Sequence, residues 1–139
     1  MIGLDFILTI RDAVLYLAGE GYDPLAVIAH AALESGWGTS ELAREHKNLF
    51  GIKGEGVEYE TCEVVNGETV VIKAKFRSYK SYEECARHYD ILIKTLYPEA
   101  YKVRSHGIAY FLGICGKWAT DPAYFAKLVK IYQLLLEGR

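Results

Sequence analysis

The chain has 139 residues, 51% of them hydrophobic and 24% charged, with a net charge of −2. That suits one globular domain with a real core, and the near-neutral balance gives no ground for binding nucleic acid or a membrane surface. No run reaches the length of a membrane span.

Apolar residues recur at helical spacing from Leu4 to Ala18, and Gly19 and Gly21 break the pattern, which predicts a first helix. Asp23-Pro24 is an N-cap followed by proline at the first helical position. It opens a helix to Ser35 that is apolar almost all round, as a buried helix is. Into its last turn the sequence sets Glu34, followed by Ser35-Gly36-Trp37-Gly38. The negative end of the helix dipole and the loss of water both disfavour a carboxylate there and raise its pKa. A carboxyl group kept protonated near neutral pH is what a general acid needs. The structural alternative is a glutamate hydrogen-bonded by nearby backbone or by His30, one turn earlier.

Thr39 or Ser40 can cap a short helix over 41–45, and 46–54 reads as irregular and glycine-punctuated. VEYETCEVV, Asn66-Gly67 and ETVVIKAKF then form a β-hairpin pattern with a type I′ turn. Setting Val65 opposite Glu68 fixes the register and puts Glu60 across from Lys73 and Glu58 across from Lys75. Strand alternation then leaves Glu63 alone among Val57, Tyr59, Thr61, Val70, Ile72, Ala74 and Phe76 on the inner face. The alternative is an edge glutamate reaching water. Ser81 with Glu84 makes a capping box for a helix to Leu96, which Pro98 ends. Short helices follow at 99–102 and 108–114, and Asp121-Pro122 is expected to start the last helix, to Leu136. Helices around one hairpin make the fold α+β, mostly α.

Eleven tyrosines and two tryptophans suit a sugar-binding groove or simply a core. Cys62, Cys85 and Cys115 have no metal-ligand spacing; they read as buried free thiols, or as one disulfide and one free thiol. The four histidines are scattered, and no zinc, phosphate-loop or nucleophile-elbow motif is present, so no metal or cofactor is implied. Two misplaced carboxylates, one on a buried helix and one on a hairpin, suggest glycoside hydrolysis. That chemistry needs an acid on the leaving oxygen and a base or nucleophile on the other face of the sugar.

ALESGWGTSELAREHKNLFGIKG resembles the signature of the bacterial glucosaminidases of glycoside hydrolase family 73. The resemblance continues through TCEVVNG, AKFRSYKSYEE and ATDPAYFAKL, and spans about Ala26 to Leu128 with the four motifs in order. It implies a lysozyme-like helical domain with one small hairpin lobe, about 57–76, the whole of 1–139 forming one catalytic domain. It implies cleavage of the β-1,4 bond after N-acetylglucosamine in peptidoglycan, with Glu34 as general acid and Glu63 as general base. Some members use the substrate's acetamido group in place of a base. Asn48 and Phe50 would form the cleft floor, Asn48 being equally readable as a turn residue that caps backbone. Where the family usually has Gly-Tyr before ATDP, this chain has Lys117-Trp118, which exchanges a hydroxyl for a larger stacking face. Trp118 is expected at the cleft edge within reach of Glu34, and Asp121 as a helix cap.

The expected partner is peptidoglycan glycan, bound by a monomer acting on the bacterial cell wall. MIGLDFILTI lacks the features of a secretory signal, which suggests a phage lysin made in the cytoplasm or a fragment of a larger secreted protein. The alternatives are a muramidase or lytic transglycosylase on the same fold, or a catalytically silent wall-binding module using Trp37, Trp118 and tyrosines.

Overall fold

The computed structural model describes residues 3–138. Ten elements follow in order: α1 (Leu4–Thr9), α2 (Arg11–Gly19), α3 (Pro24–Ser35), α4 (Glu41–His46), β1 (Gly56–Val65), β2 (Glu68–Arg77), α5 (Tyr82–Leu96), α6 (Pro98–Lys102), α7 (Gly107–Ile114) and α8 (Tyr124–Glu137). The fold is mostly helical, with one two-stranded antiparallel sheet.

Helix α3 is the axis. Asp23 caps it by accepting from the Leu25 and Ala26 amides at 3.0 and 3.4 Å. Gly36 closes it with a left-handed backbone, φ 58°, which a glycine adopts without strain. Alanines 26, 29, 31 and 32 are buried together with Val27, Ile28 and His30. Their small side chains let α2, α7 and α8 pack closely on it. An aromatic layer of Tyr22, Phe50, Tyr89 and Tyr110 fills the space beside it, with Phe50 stacked on Tyr89 at 3.9 Å. Inside that layer His30 Nδ1 meets the Tyr89 hydroxyl at 2.8 Å, and Tyr89 in turn meets the Tyr110 hydroxyl. His30 is therefore engaged away from Glu34. Burial pulls its pKa down to about 3, so it stays neutral.

The hairpin register is the expected one, with Val65 opposite Glu68, Glu60 opposite Lys73 and Glu58 opposite Lys75. Asn66 and Gly67 both have positive φ, as the type I′ turn requires. The charge pairing differs: the Lys75 ammonium turns to Glu55, 3.5 Å away. A two-stranded ribbon is marginal by itself, and this one is tied down at its base. Arg77 N–H donates to the Ile52 carbonyl at 2.9 Å, Gly54 N–H to Lys75 at 3.0 Å, and Phe76 is buried.

Two boundaries and one cap depart from expectation. The first helix is broken at Ile10, where φ −100° and ψ 14° separate α1 from α2. Just before it the Thr9 hydroxyl bonds back to the Asp5 carbonyl at 2.8 Å, an arrangement that bends helices. The last helix begins at Tyr124 and not at Pro122, because the Asp121 carboxylate accepts from Ala123 N–H at 2.8 Å and makes a separate turn first. The Ser81–Glu84 cap is half a box: Ser81 accepts from Glu84 N–H, but the Glu84 carboxylate takes the Lys80 amide. All three cysteines are free thiols; Cys85 is buried, Cys115 half-buried, and Cys62, against expectation, exposed on the outer face of β1.

Candidate active site

A cleft of about 480 Å³ runs between α3, the hairpin and the start of α8. Glu34, Lys53, Glu63, Trp118, Thr120 and Tyr124 line it. The two carboxylates singled out by the sequence thus face one space, one from a rigid buried helix and one from the inner face of the ribbon.

Their environments push them in opposite directions. Burial raises the Glu34 carboxyl from 4.5 to about 7, and the nearby charge of Glu63 adds to this. The Tyr124 hydroxyl, which donates to Glu34 Oε2, and the Lys53 ammonium work against it. The Gly51 backbone passes close beside the acid: a Cβ built at Gly51 would lie 3.0 Å from Glu34 Oε1, and its φ is 66°. The left-handed backbone favours glycine there, and any side chain would press on the acid.

Glu63 is held as an anion. Lys53 Nζ donates to Oε1 at 2.9 Å and Thr120 Oγ1 to Oε2 at 2.8 Å, and these bonds lower its pKa. It is therefore not alone among apolar neighbours, although it does point inward. Its side chain is 19% exposed, and each oxygen keeps acceptor capacity for a water. Thr120 also accepts from Val64 N–H at 2.9 Å, so one hydroxyl fastens the strand and the carboxylate together.

Trp118 lines the cleft with Glu34, as expected, but half of it belongs to the core. Its indole N–H donates to the Phe50 carbonyl at 3.2 Å, and its ring meets those of His30 and Tyr89 edge-on at 4.8 and 5.5 Å. Asn48 and Phe50 lie one layer beneath the cleft, each only 1% exposed. Asn48 staples the loop: its amide nitrogen donates to the Ile52 and Arg77 carbonyls, both at 2.9 Å, and its oxygen accepts from Ile52 N–H at 3.0 Å. They support the floor instead of forming its surface. Trp37 does not line this cleft; it packs edge-on against Phe6 at 5.9 Å. Among the described residues there is no His, Cys, Asp and Glu cluster able to hold a metal ion, and no helix is long and apolar enough to cross a membrane.

Sequence reasoning missed Lys53, Thr120 and Tyr124. Thr120 and Tyr124 sit inside the ATDPAYFAKL motif, where attention to Asp121 concealed them. Asp121 itself pairs with Lys127 at 2.5 Å. Lys53 lies in the first motif, but only the fold of the 46–54 loop brings it to Glu63.

Comparison with known proteins shows the family of the chain. The family described as mannosyl-glycoprotein endo-beta-N-acetylglucosaminidase (Glucosaminidase) matches residues 11–136. The chain belongs to the glucosaminidase family. A probable N-acetylmuramidase of Lactococcus lactis subsp. cremoris is 36% identical over 127 residues, 81% of this chain and 29% of that protein. The exo-glucosaminidase LytG of Bacillus subtilis is 36% identical over 121 residues, 79% of this chain and 43% of LytG. The glucosaminidase chain thus spans less than half the length of either relative. Among solved structures, a peptidoglycan hydrolase mutant from Sphingomonas sp. A1 superposes with a TM-score of 0.80 at 32% identity, covering 96% of this chain and 98% of that one. The glucosaminidase domain is a glycoside hydrolase with the lysozyme-like architecture of those peptidoglycan hydrolases.

Proposed function

We propose that this glucosaminidase is a peptidoglycan hydrolase that cleaves the β-1,4 bond between N-acetylglucosamine and N-acetylmuramic acid. The observation that carries the reading is the pair of carboxyl groups lining one cleft, with Glu34 pushed up to about 7 and Glu63 held below the ordinary range. Two carboxyl groups driven apart in this way divide into acid and base. Glu34 protonates the leaving glycosidic oxygen while Glu63 activates the attacking water. Lys53 and Thr120 keep the base ionised, Tyr124 steadies the acid, and Trp118 stacks on a sugar face. The chain acts as a monomeric catalytic domain, with the hairpin as one wall.

The name of the Lactococcus relative favours a second reading, cleavage of the other glycosidic bond by a muramidase. Mass spectrometry of digested peptidoglycan decides between them. A new reducing end on N-acetylglucosamine supports the glucosaminidase reading, and one on N-acetylmuramic acid replaces it. Glu63→Gln addresses the base separately. Loss of most turnover is expected, and near-normal turnover would hand the role to the substrate's acetamido group.

A further inference from the structure

The cleft does not end at Trp118. A second recess, of about 260 Å³, opens beside the same indole and shares Gly51, Lys53 and Trp118 with the first. Beyond those three, its walls are Ile52, Leu92, Leu96, Tyr97 and Lys117. Leu92 and Leu96 stand one turn apart on α5 and so present adjoining side chains; Leu96 is 50% exposed. The Tyr97 and Trp118 rings meet at 5.6 Å and 44°, making an aromatic corner. The Lys117 ammonium donates to the Leu96 carbonyl at 2.8 Å and lies 5.0 Å from the centre of the Tyr97 ring. Neither a carbonyl nor a ring is an anion, so the charge stays available at the rim.

The two leucines make a poor floor for another sugar ring, although the Trp118 and Tyr97 rings have faces on which one can stack. A sugar carries hydroxyls around its edge, each asking for a donor or acceptor, and two leucines offer none. It suits a group that combines small apolar side chains with carboxylates. Methyl groups would cover Leu92 and Leu96, and a carboxylate would take the ammonium in a charge-assisted bond. On a peptidoglycan strand that combination belongs to the short peptide stem, built of alanines and acidic residues. The stem branches off the sugar chain, so it needs room beside the cleft and not along it.

We propose that the recess beside Trp118 holds the peptide stem of the substrate, with Lys117 anchoring a carboxylate and Leu92 and Leu96 forming the apolar floor. The inference rests on the peptidoglycan reading above. It makes Lys117 a specificity-determining residue outside the chemistry, at a position where this sequence leaves the family pattern.

The test uses the full chain on two substrates: glycan strands with stems intact, and the same strands stripped of stems by an amidase. The wild-type protein is expected to show a KM roughly ten-fold lower on stem-bearing strands, the worth of about one charge-assisted contact. Lys117→Glu should raise that KM to the stripped-strand value and leave kcat and KM on stripped strands unchanged. Leu96→Asp should do the same from the floor of the recess, with thermal melts confirming that both variants fold. Equal KM for the two substrates in the wild type would overturn the proposal. So would a Lys117→Glu variant that weakens both alike, since that marks a glycan or folding contact. If neither strand is cleaved, the glycosidase reading has failed, and free stem peptide titrated into isotope-labelled protein decides the recess alone. Resonance shifts at Leu92, Leu96 and Tyr97 that vanish in Lys117→Glu support it, and their absence ends it.

Discussion

Replacing Glu34 by glutamine separates the chemistry of this group from the cost of its burial. Its carboxyl rises from 4.5 in the unfolded chain to about 7 in the folded one, mainly through desolvation. At roughly 1.4 kcal/mol per unit, an ionised Glu34 costs the folded state about 3 kcal/mol, an upper value because some solvent reaches the group. Between those two pH values the folded protein keeps a proton that the unfolded chain has released. Stability from this group is therefore full below pH 4.5, falls as pH rises, and levels off above about 7. Glutamine never ionises, yet its carbonyl still accepts from Tyr124. The melting temperature of Glu34→Gln minus that of the wild type should be near zero in acid, grow through this window, and then stay constant. The plateau should be at most about 9–15 °C, at about 3–5 °C per kcal/mol for a domain of this size. Turnover on peptidoglycan should fall at least ~10²-fold in the same variant, because an amide cannot supply the proton. Calorimetry across the pH series and a wall-clearing assay give both readings. A melting difference that ignores pH would show that Glu34 does not titrate in this window, and near-normal turnover would remove it from catalysis.

Lys53→Met takes away the ammonium bond that holds Glu63 ionised and also a cation that favours ionised Glu34, so both limbs of the pH profile of kcat/KM should move upward. Tyr124→Phe removes a hydroxyl that lowers the Glu34 pKa, and only the alkaline limb should rise. An unchanged limb in either variant would mean that these contacts do not set the working pH. Asn48→Ala leaves the Ile52 amide without its partner and takes one donor each from the Ile52 and Arg77 carbonyls, and chemical denaturation should show a loss of ~2–3 kcal/mol. Trp118→Ala should cost both about 2–3 kcal/mol of stability, for a side chain half in the core, and a raised KM. A change in only one of these would assign the indole to core or cleft alone.

What the sequence made readable was local. The Asp23 cap, the Gly36 stop and the Asn66-Gly67 turn each act within a few residues, and they fix α3, its terminal glutamate and the hairpin register. Parity along β1 then sends Glu63 inward. The environment of each carboxylate was not readable, because it comes from distant chain segments. Lys53 reaches Glu63 across ten residues and Thr120 across fifty-seven, and Tyr124 reaches Glu34 across ninety. Phe50 and Asn48 show the same limit from the other side. A motif brings them near the cleft, but only packing against Tyr89, Ile52 and Arg77 decides that they sit beneath it.

Thr120 gives the wall of the cleft a built-in condition. Its single oxygen accepts from the Val64 amide and donates to the Glu63 carboxylate, so the strand cannot leave the loop before α8 without also breaking one of the two bonds that orient the anion. A ribbon that lifted away would carry Glu63 out of line with Glu34, which is fixed in α3, although a carboxylate released to water would stay ionised at neutral pH. Under the mechanism proposed above, alignment and not charge is what seating the hairpin supplies, and hydrolysis is expected only while the ribbon holds Glu63 across the cleft from Glu34.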